Sequence, residues 1–534
     1  MKKLLVVLLI LCLAITAGCS SANSGKSANV LRVPGGANPE ITDPQRTGSF
    51  FEVALNCFDR LVEAKTVAPL KTELVPGLAE RWEVSSDGKV YTFYLRKGVK
   101  FHNGEELKAD DVLYTFDRML NPATKSTNTN FVDMIAGAKE RLNKTADKVS
   151  GLKVIDDYTI QITLTNPYGP FLSCIASPPC SILNRKATEA AGDKFGVEPK
   201  LTIGTGPFKF TEWVVNDHFT VMAFDGYFRG KPKIDGIVYK VTPDMDTQRM
   251  QFEKGELDVF DCDYARSQIP YFEGSDKWKG QIVSGQRVGI FFYNLNQNIK
   301  PFDDVRVRKA IQMAIDRKTI LDKFYYGKGQ VINTIMPPGL TGYNPNAEAL
   351  TYDVAKAKAL LAEAGYPDGF EMTIAQVTGK ADQLQVNEMV QSMLKQIGIT
   401  VKIQQMDNAA FTSTRNQGQL PAYLSSWSAD LNDPDNFLYT FFSAKNAVAR
   451  ANNYKNATVQ EQLEKARIMT DQAARMKSYQ DMEKTIIIDD AAWVPLFSLQ
   501  HLFVVQPYVK NFQPPWNGWS GGSLYGIAIE RQSK

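Results

Sequence analysis

The sequence predicts a mixed α/β protein with more than one hydrophobic core, preceded by an export leader. Three observations carry that expectation. About 500 residues follow the leader, more than one core usually accommodates. Short strand-like segments alternate with helix-like ones along the whole chain, and no repeat of fixed period appears. The leader itself is legible: Met1-Lys2-Lys3 gives a positive start, and Leu4 to Ile15 is unbroken apolar sequence. Thr16-Ala17-Gly18 then supplies small residues, and the apolar run is too short to cross a bilayer, which marks a secretory signal over residues 1–18.

Small residues directly before Cys19 resemble a bacterial lipobox, which implies that Cys19 becomes a lipidated N-terminus. Thr16 departs from that pattern, and a cut elsewhere that leaves Cys19 free is the alternative. Ser20 to Asn29 is polar and suits a tether. The remainder is expected to fold outside the cytoplasm, anchored to the membrane by lipid.

Composition narrows the partners. The 61 basic and 58 acidic residues leave a net charge of only +3, so neither nucleic acid nor an acidic membrane surface is implied. Beyond Cys12 and Cys19 stand Cys57, Cys174, Cys180 and Cys262, which allow three pairings or four buried thiols; Cys174 and Cys180 flank a turn-rich Ile-Ala-Ser-Pro-Pro loop. His102, His218 and His501 are far apart and match no metal-site spacing, so no metal and no cofactor are expected.

The elements follow in order. Asp87-Gly88 is a tight turn between Trp82-Glu-Val84 and a strand in which Tyr91, Phe93 and Leu95 alternate with polar neighbours. Asn103-Gly104 marks a second turn. Asp110 and Asp111 open a helix whose Val112, Phe116, Met119 and Leu120 share one face. Trp82, Phe93 and Phe101 read as core anchors. Val305 to Leu321 reads as one helix with Arg306, Arg308 and Lys309 on its wet side. Asp353 to Ala364 is another, with Asp353 as N-cap and Gly365 past its end. Strands are expected from Gly369 to Ile374 and from Ile399 to Ile403, and helix over most of Ala457 to Ile488.

Several strings in this frame resemble the large bacterial extracellular solute-binding proteins of the peptide and nickel class, family 5. They are Leu78-Ala-Glu-Arg-Trp82, Phe93 to Phe101, Ala109-Asp-Asp-Val112 and Gly204-Thr-Gly-Pro-Phe208. Pro301 to Ala310 leading into Ala314-Ile-Asp-Arg317, Tyr352 to Leu361, Trp427 and Asp433-Pro-Asp-Asn-Phe437 complete the set. The resemblance implies a bilobed periplasmic-binding-protein fold with a hinge and an extra inserted subdomain. One lobe would be discontinuous (30–50, 187–285 and 500–534), with 51–186 inserted into it and 286–499 forming the second lobe. Hinge crossings would lie near Gly285-Gln-Arg287 and Phe497 to His501. The implied role is capture of short peptides for an ABC importer, as a monomer whose partner is the permease. Nickel chelates, haem and oligosaccharides are the alternative ligands among such proteins.

The strand-like Ala422 to Trp427 runs into Ser428-Ala-Asp430-Leu-Asn-Asp433-Pro-Asp435-Asn436. A calcium loop fails there, because Pro434 and Phe437 occupy ligand positions. Asp433-Pro434 reads as a turn initiator. By resemblance, Asp430, three residues after Trp427, would pair with a peptide's α-amino group, since a carboxylate in a closed cleft favours a cation. Main-chain contacts would come from Ser426 to Ser428, and from Arg46 to Phe50 (Gly48 and Phe50 among them) across the cleft. Arg415 matches an arginine near the cleft of peptide-binding members, and could meet a ligand carboxylate or be structural. Leu424 stands where a second such arginine occurs.

An enzyme is the contrasting class. Gly518-Trp-Ser520-Gly-Gly522 fits G-x-S-x-G, yet no His follows it and no long helix has room to form, so a terminal loop is expected and no catalytic residue is assigned. Gly204-Thr-Gly206-Pro207 lacks the completion of a phosphate loop and reads as turn punctuation.

Overall fold

A computed structural model describes residues 29–68, 71–518 and 522–531. The leader and Cys19 lie outside them, as does Ser520. Among the described residues no helix is long and apolar enough to cross a membrane.

The chain is organised around one long strand, Trp493–Val505. At about 3.3 Å per residue its 13 residues reach roughly 40 Å, enough to serve two sheets' worth of partners. Its first half pairs with Gly289–Leu295, with Phe291 opposite Phe497 and Asn294 opposite Trp493. Its second half pairs with Ile282–Gln286, with Gln286 opposite Gln500 and Ile282 opposite Val504, and with Val259–Asp261. The partner therefore changes around Arg287 and Val288, facing Ser498 to Gln500. Ala422–Ser428 pairs antiparallel with the far side of Gly289–Leu295 and forms the outer edge of this sheet.

A second sheet runs in the order Val30–Pro34, Gly236–Lys240, His218–Ala223, Phe208–Val214. It packs with Phe58 and Phe195 in a core that also takes in Phe503 and Leu524. A third sheet, Ala79–Val84, Val90–Leu95, Thr159–Thr163 and Leu152–Asp156, carries the helix Ala109–Leu120. The period-two pattern is realised there: Tyr91, Phe93 and Leu95 are buried, and Gly88 turns the hairpin at φ 69°. Asp111 accepts the Lys108 N–H at 3.0 Å, which satisfies the first turn of the helix. Its Val112, Phe116, Met119 and Leu120 are all buried on one face. Phe93 and Phe101 are fully buried; Trp82 packs half-buried against the same core.

Other expectations fare unevenly. Asp353 caps Val354–Glu363 by accepting the Lys356 N–H, and Gly365 follows at φ 93°. The expected Val305 to Leu321 helix is two helices, Val305–Ala314 and Arg317–Phe324, because the chain extends at Ile315 and Asp316 caps the second. Arg308 is not on a wet face. It is 5 % exposed and donates to the carbonyls of Phe302 at 2.7 Å and Asp490 at 2.5 Å. Its guanidinium satisfies orphan carbonyls that charge patterning alone does not reveal. All four described cysteines are buried free thiols, so the Cys174–Cys180 loop is not bridged.

Candidate ligand-binding site

The outer edge of Ala422–Ser428 is the natural place to begin. Ala429 donates its N–H to Val288 at 2.8 Å, on the inner side of the ladder. Antiparallel strands alternate their hydrogen-bonding direction residue by residue, so the main-chain groups of Ser428 and Ser426 face outward. Ser426 is exposed. Such an edge accepts an added extended chain.

Side chains then fix the strand's end. The Ser428 hydroxyl accepts the Arg287 Nε–H at 2.8 Å, tying the edge to the crossover. Trp427 is half-buried, with its ring 5.3 Å from that of Phe441 and 5.0 Å from the Arg450 guanidinium. Its indole N–H donates to Asn436 Oδ1 at 3.3 Å. The same Oδ1 accepts the Asp430 N–H at 2.9 Å, and Asn436 Nδ2 donates to the Asp430 carboxylate at 3.3 Å. Asn436 thus orients Trp427 and Asp430 together. Burial pushes the Asp430 carboxyl up to about 6, against the opposing pull of Asn436 and of the Arg450 charge.

Asp433 and Asp435 have structural roles. Arg475 grips Asp433 through both oxygens at 2.7 Å each, and Asp435 accepts the hydroxyls of Tyr168 at 2.9 Å and Tyr479 at 3.1 Å.

The second wall is the Asp43–Phe50 segment. Arg118 pairs with Asp43 at 2.7 Å, and Asn128 donates to the Thr47 carbonyl at 2.8 Å. Thr47 in turn accepts the Phe50 N–H through its hydroxyl at 3.0 Å. With the buried side so pinned, Gly48 and Ser49 are exposed and Phe50 is half-buried. Ser49 and Phe50 line a cavity of about 850 Å³, with Glu52, Tyr264 and, from beyond the crossover, Lys380. Asp430 lines a neighbouring cavity of about 330 Å³ with Leu55, Glu63 and Thr341. Pro515 borders both, in a segment that runs past the edge strand: Gly518 donates to the Ala429 carbonyl at 3.1 Å, and Trp516 accepts from Val288 at 2.8 Å.

The expected residues therefore fall into three places. Ser426, Trp427, Ser428 and Asp430 are brought together; Gly48 and Phe50 lie on the facing wall. Arg415 stands apart on Asn408–Asn416, half-buried, donating to Asn416 at 3.0 Å and lining neither cavity. Asn436, Arg450 and the 513–518 segment were not anticipated. Asn436 is the second residue of the helix Asp435–Phe442, and no local pattern signals that it reaches back six residues.

Two halves joined by a shared long strand, with a cleft at the crossover, define a binding protein of the bilobed periplasmic class. Solved structures similar to it agree. The periplasmic binding protein DppA from Helicobacter pylori, in complex with peptide STSA, matches 94 % of this chain and 98 % of that one, with a TM-score of 0.76 and 29 % identity. The dipeptide-binding protein of Escherichia coli (strain K12) is 33 % identical over 501 residues, covering 90 % of this chain and 89 % of that protein. Heme-binding protein A of Haemophilus influenzae is 29 % identical over 498 residues, with 89 % and 87 % covered. The family model for bacterial extracellular solute-binding proteins, family 5 (middle), matches residues 73–448. The chain belongs to that family, whose members bind solutes for transport rather than transform them.

Proposed function

We propose that this chain captures short peptides between its two lobes outside the cytoplasm and delivers them to an ABC permease, without catalysis. The observation that carries the reading is Asp430: a carboxylate whose ionised form is penalised by burial, at the end of a strand whose ladder hydrogen bonds run to Gly289–Leu295 on one side. A peptide would add its main chain to Ser426 and Ser428 and place its α-ammonium against Asp430. Phe50, Tyr264 and the larger cavity would receive side chains.

Lobe division at 30–50, 187–285 and 500–534 against 286–499, with 51–186 inserted, is supported by the change of partner along Trp493–Val505. Closure would then bend the chain near Gly285-Gln-Arg287 and Phe497 to His501. Calorimetric titration with the peptides STSA and Met-Leu tests the reading directly, because relatives were solved with them. Free peptides should bind and N-acetylated ones should not; equal affinity for both would overturn the role of Asp430.

Haem is the second reading, favoured by the Haemophilus relative. Native mass spectrometry of the protein as purified separates the two by the mass of the captured ligand. The mature protein is further proposed to start at lipidated Cys19 and to act as a monomer on the membrane surface. Cys19→Ala should move it into the soluble fraction, and retention on membranes would place the anchor elsewhere.

A further inference from the structure

Leu431 follows Asp430 directly, and its side chain lies in the hydrophobic core of the 51–186 region, 7 % exposed. Among the described residues, every other buried member of that core lies between Leu61 and Ile182. A leucine from one half of the molecule thus plugs a core that the other half builds. Polar contacts ring the plug. Tyr168 donates its hydroxyl to Asp435 at 2.9 Å, Asn432 donates to the Thr72 carbonyl at 3.2 Å, and Gly169 donates to the Arg467 carbonyl at 3.1 Å. Gly169 also lies against the Arg475 guanidinium, where a Cβ would come within 2.9 Å of Nε.

The chain links these two regions only through the strands at the crossover, so bending there pulls Leu431 and Asp435 away from Tyr168. The contact is suited to being broken. Among the described residues it comprises one buried apolar side chain, a few hydrogen bonds that water replaces and the Arg467 guanidinium 4.9 Å from the Tyr168 ring, while Asp433–Arg475 and Asp435–Tyr479 stay whole on one side. We propose that the inserted 51–186 region is a closure latch, gripping Leu431 and Asp435 only when the lobes are shut. Ligand at Asp430 and latch at Leu431 then favour the same closed state from adjacent residues, and whatever free energy the latch adds slows ligand release. Tyr168 lines neither cavity and is a positioning residue; Leu431 also borders the cavity of Asp430, so Tyr168→Phe is the variant that isolates the latch. The inference rests on the two-lobe reading above, not on which ligand is bound.

The test uses the full mature chain carrying Cys19→Ala, with fluorophores at Lys139→Cys and Glu461→Cys, both exposed positions, since the four thiols among the described residues are buried. Energy transfer between them reports closure with and without STSA, and stopped flow gives the release rate. Leu431→Ala should lower the closed fraction and speed release roughly tenfold or more, as loss of a buried leucine contact does. Tyr168→Phe, which keeps shape and fold, should speed release several-fold through the lost hydrogen bond. Association rates should stay within about twofold of wild type, because the latch forms after encounter. Closed fractions and release rates unchanged in both variants would overturn the latch. If STSA fails to close the wild type, the peptide reading suffers, and the closed fraction of the ligand-free protein still reads the latch.

Discussion

Asp430 and Asp433 lie three residues apart at the end of the same strand, and their surroundings differ in kind. Asp433 meets a guanidinium fork at 2.7 Å through both oxygens, and Arg475 is fully buried with it. Asp430 is oriented by the neutral amide of Asn436, and burial lifts its carboxyl to about 6. A carboxylate buried with a matched cation is part of the scaffold. Asp430, half-buried, keeps a net penalty on its charge despite Asn436 and the Arg450 charge, and an arriving cation relieves it. The difference shows how one polar stretch is divided between holding the fold and receiving a ligand.

The scaffold half of that contrast should give the largest effect. Arg475→Ala leaves Asp433 buried with its charge uncompensated and should destabilise the protein by about 3–5 kcal/mol in urea unfolding. A loss below about 1 kcal/mol would remove the distinction between the two acids. Asp430→Asn should do the reverse, keeping the fold while costing roughly 2–5 kcal/mol of affinity for free peptides. The pH dependence has a definite sign. The folded carboxyl titrates near 6, above its ordinary value of 3.8, so its ionisation destabilises the ligand-free fold as pH rises from about 4 to 6. The Asn variant should accordingly be more stable than wild type above pH 6 and match it below pH 4. Wild-type affinity should be flat above pH 6 and fall below it, as protonation removes the charge that the ammonium needs.

Glu483 sharpens the comparison as a buried acid held only by backbone donors among its described contacts. It accepts the N–H groups of Ile335 at 2.6 Å and Met336 at 2.7 Å, and burial raises it to about 8. Native protein therefore binds this proton more tightly than unfolded chain does, and stability falls as pH rises from about 4.5 to 8. Glu483→Gln keeps both acceptor contacts. It should gain on the order of 1–2 kcal/mol over wild type at pH 8 and nothing at pH 4 in parallel melts. A gap independent of pH would mean that packing, not charge, decides at this site.

Local pattern made much of the architecture legible. Alternation at Tyr91, Phe93 and Leu95, the helical face from Val112 to Leu120 and the Asp353 cap depend on neighbours within a few residues, so periodicity suffices. The Val305 helix was misread because its break comes from the Asp316 cap, which competes with continued helix inside an apolar run. Arg308 was misread because its carbonyl partner at Asp490 is 182 residues away. The site divides along the same line. Trp427, Ser428 and Asp430 fall within four consecutive positions and are readable; Arg450 over the Trp427 ring and the Tyr168 contact with Asp435 are long-range and carry no local mark.

Arg415 gives the smallest and most discriminating expectation. It sits half-buried at the end of its helix, and the only hydrogen bonds among its described contacts go to the adjacent Asn416. Its charge is felt by Tyr423 and Arg450, which places it beside the strand that carries Ser426, without contact to either cavity. A cation so placed attracts a ligand carboxylate through partly screened space, so Arg415→Gln should cost about 1 kcal/mol or less. That loss should shrink as salt is raised past roughly 0.5 M, where the screening length falls to a few ångströms. Peptide amides, which end without a carboxylate, should bind wild type and variant alike. Equal weakening of peptides and peptide amides would instead assign Arg415 to the support of Tyr423 and leave the carboxylate end of the ligand to other groups.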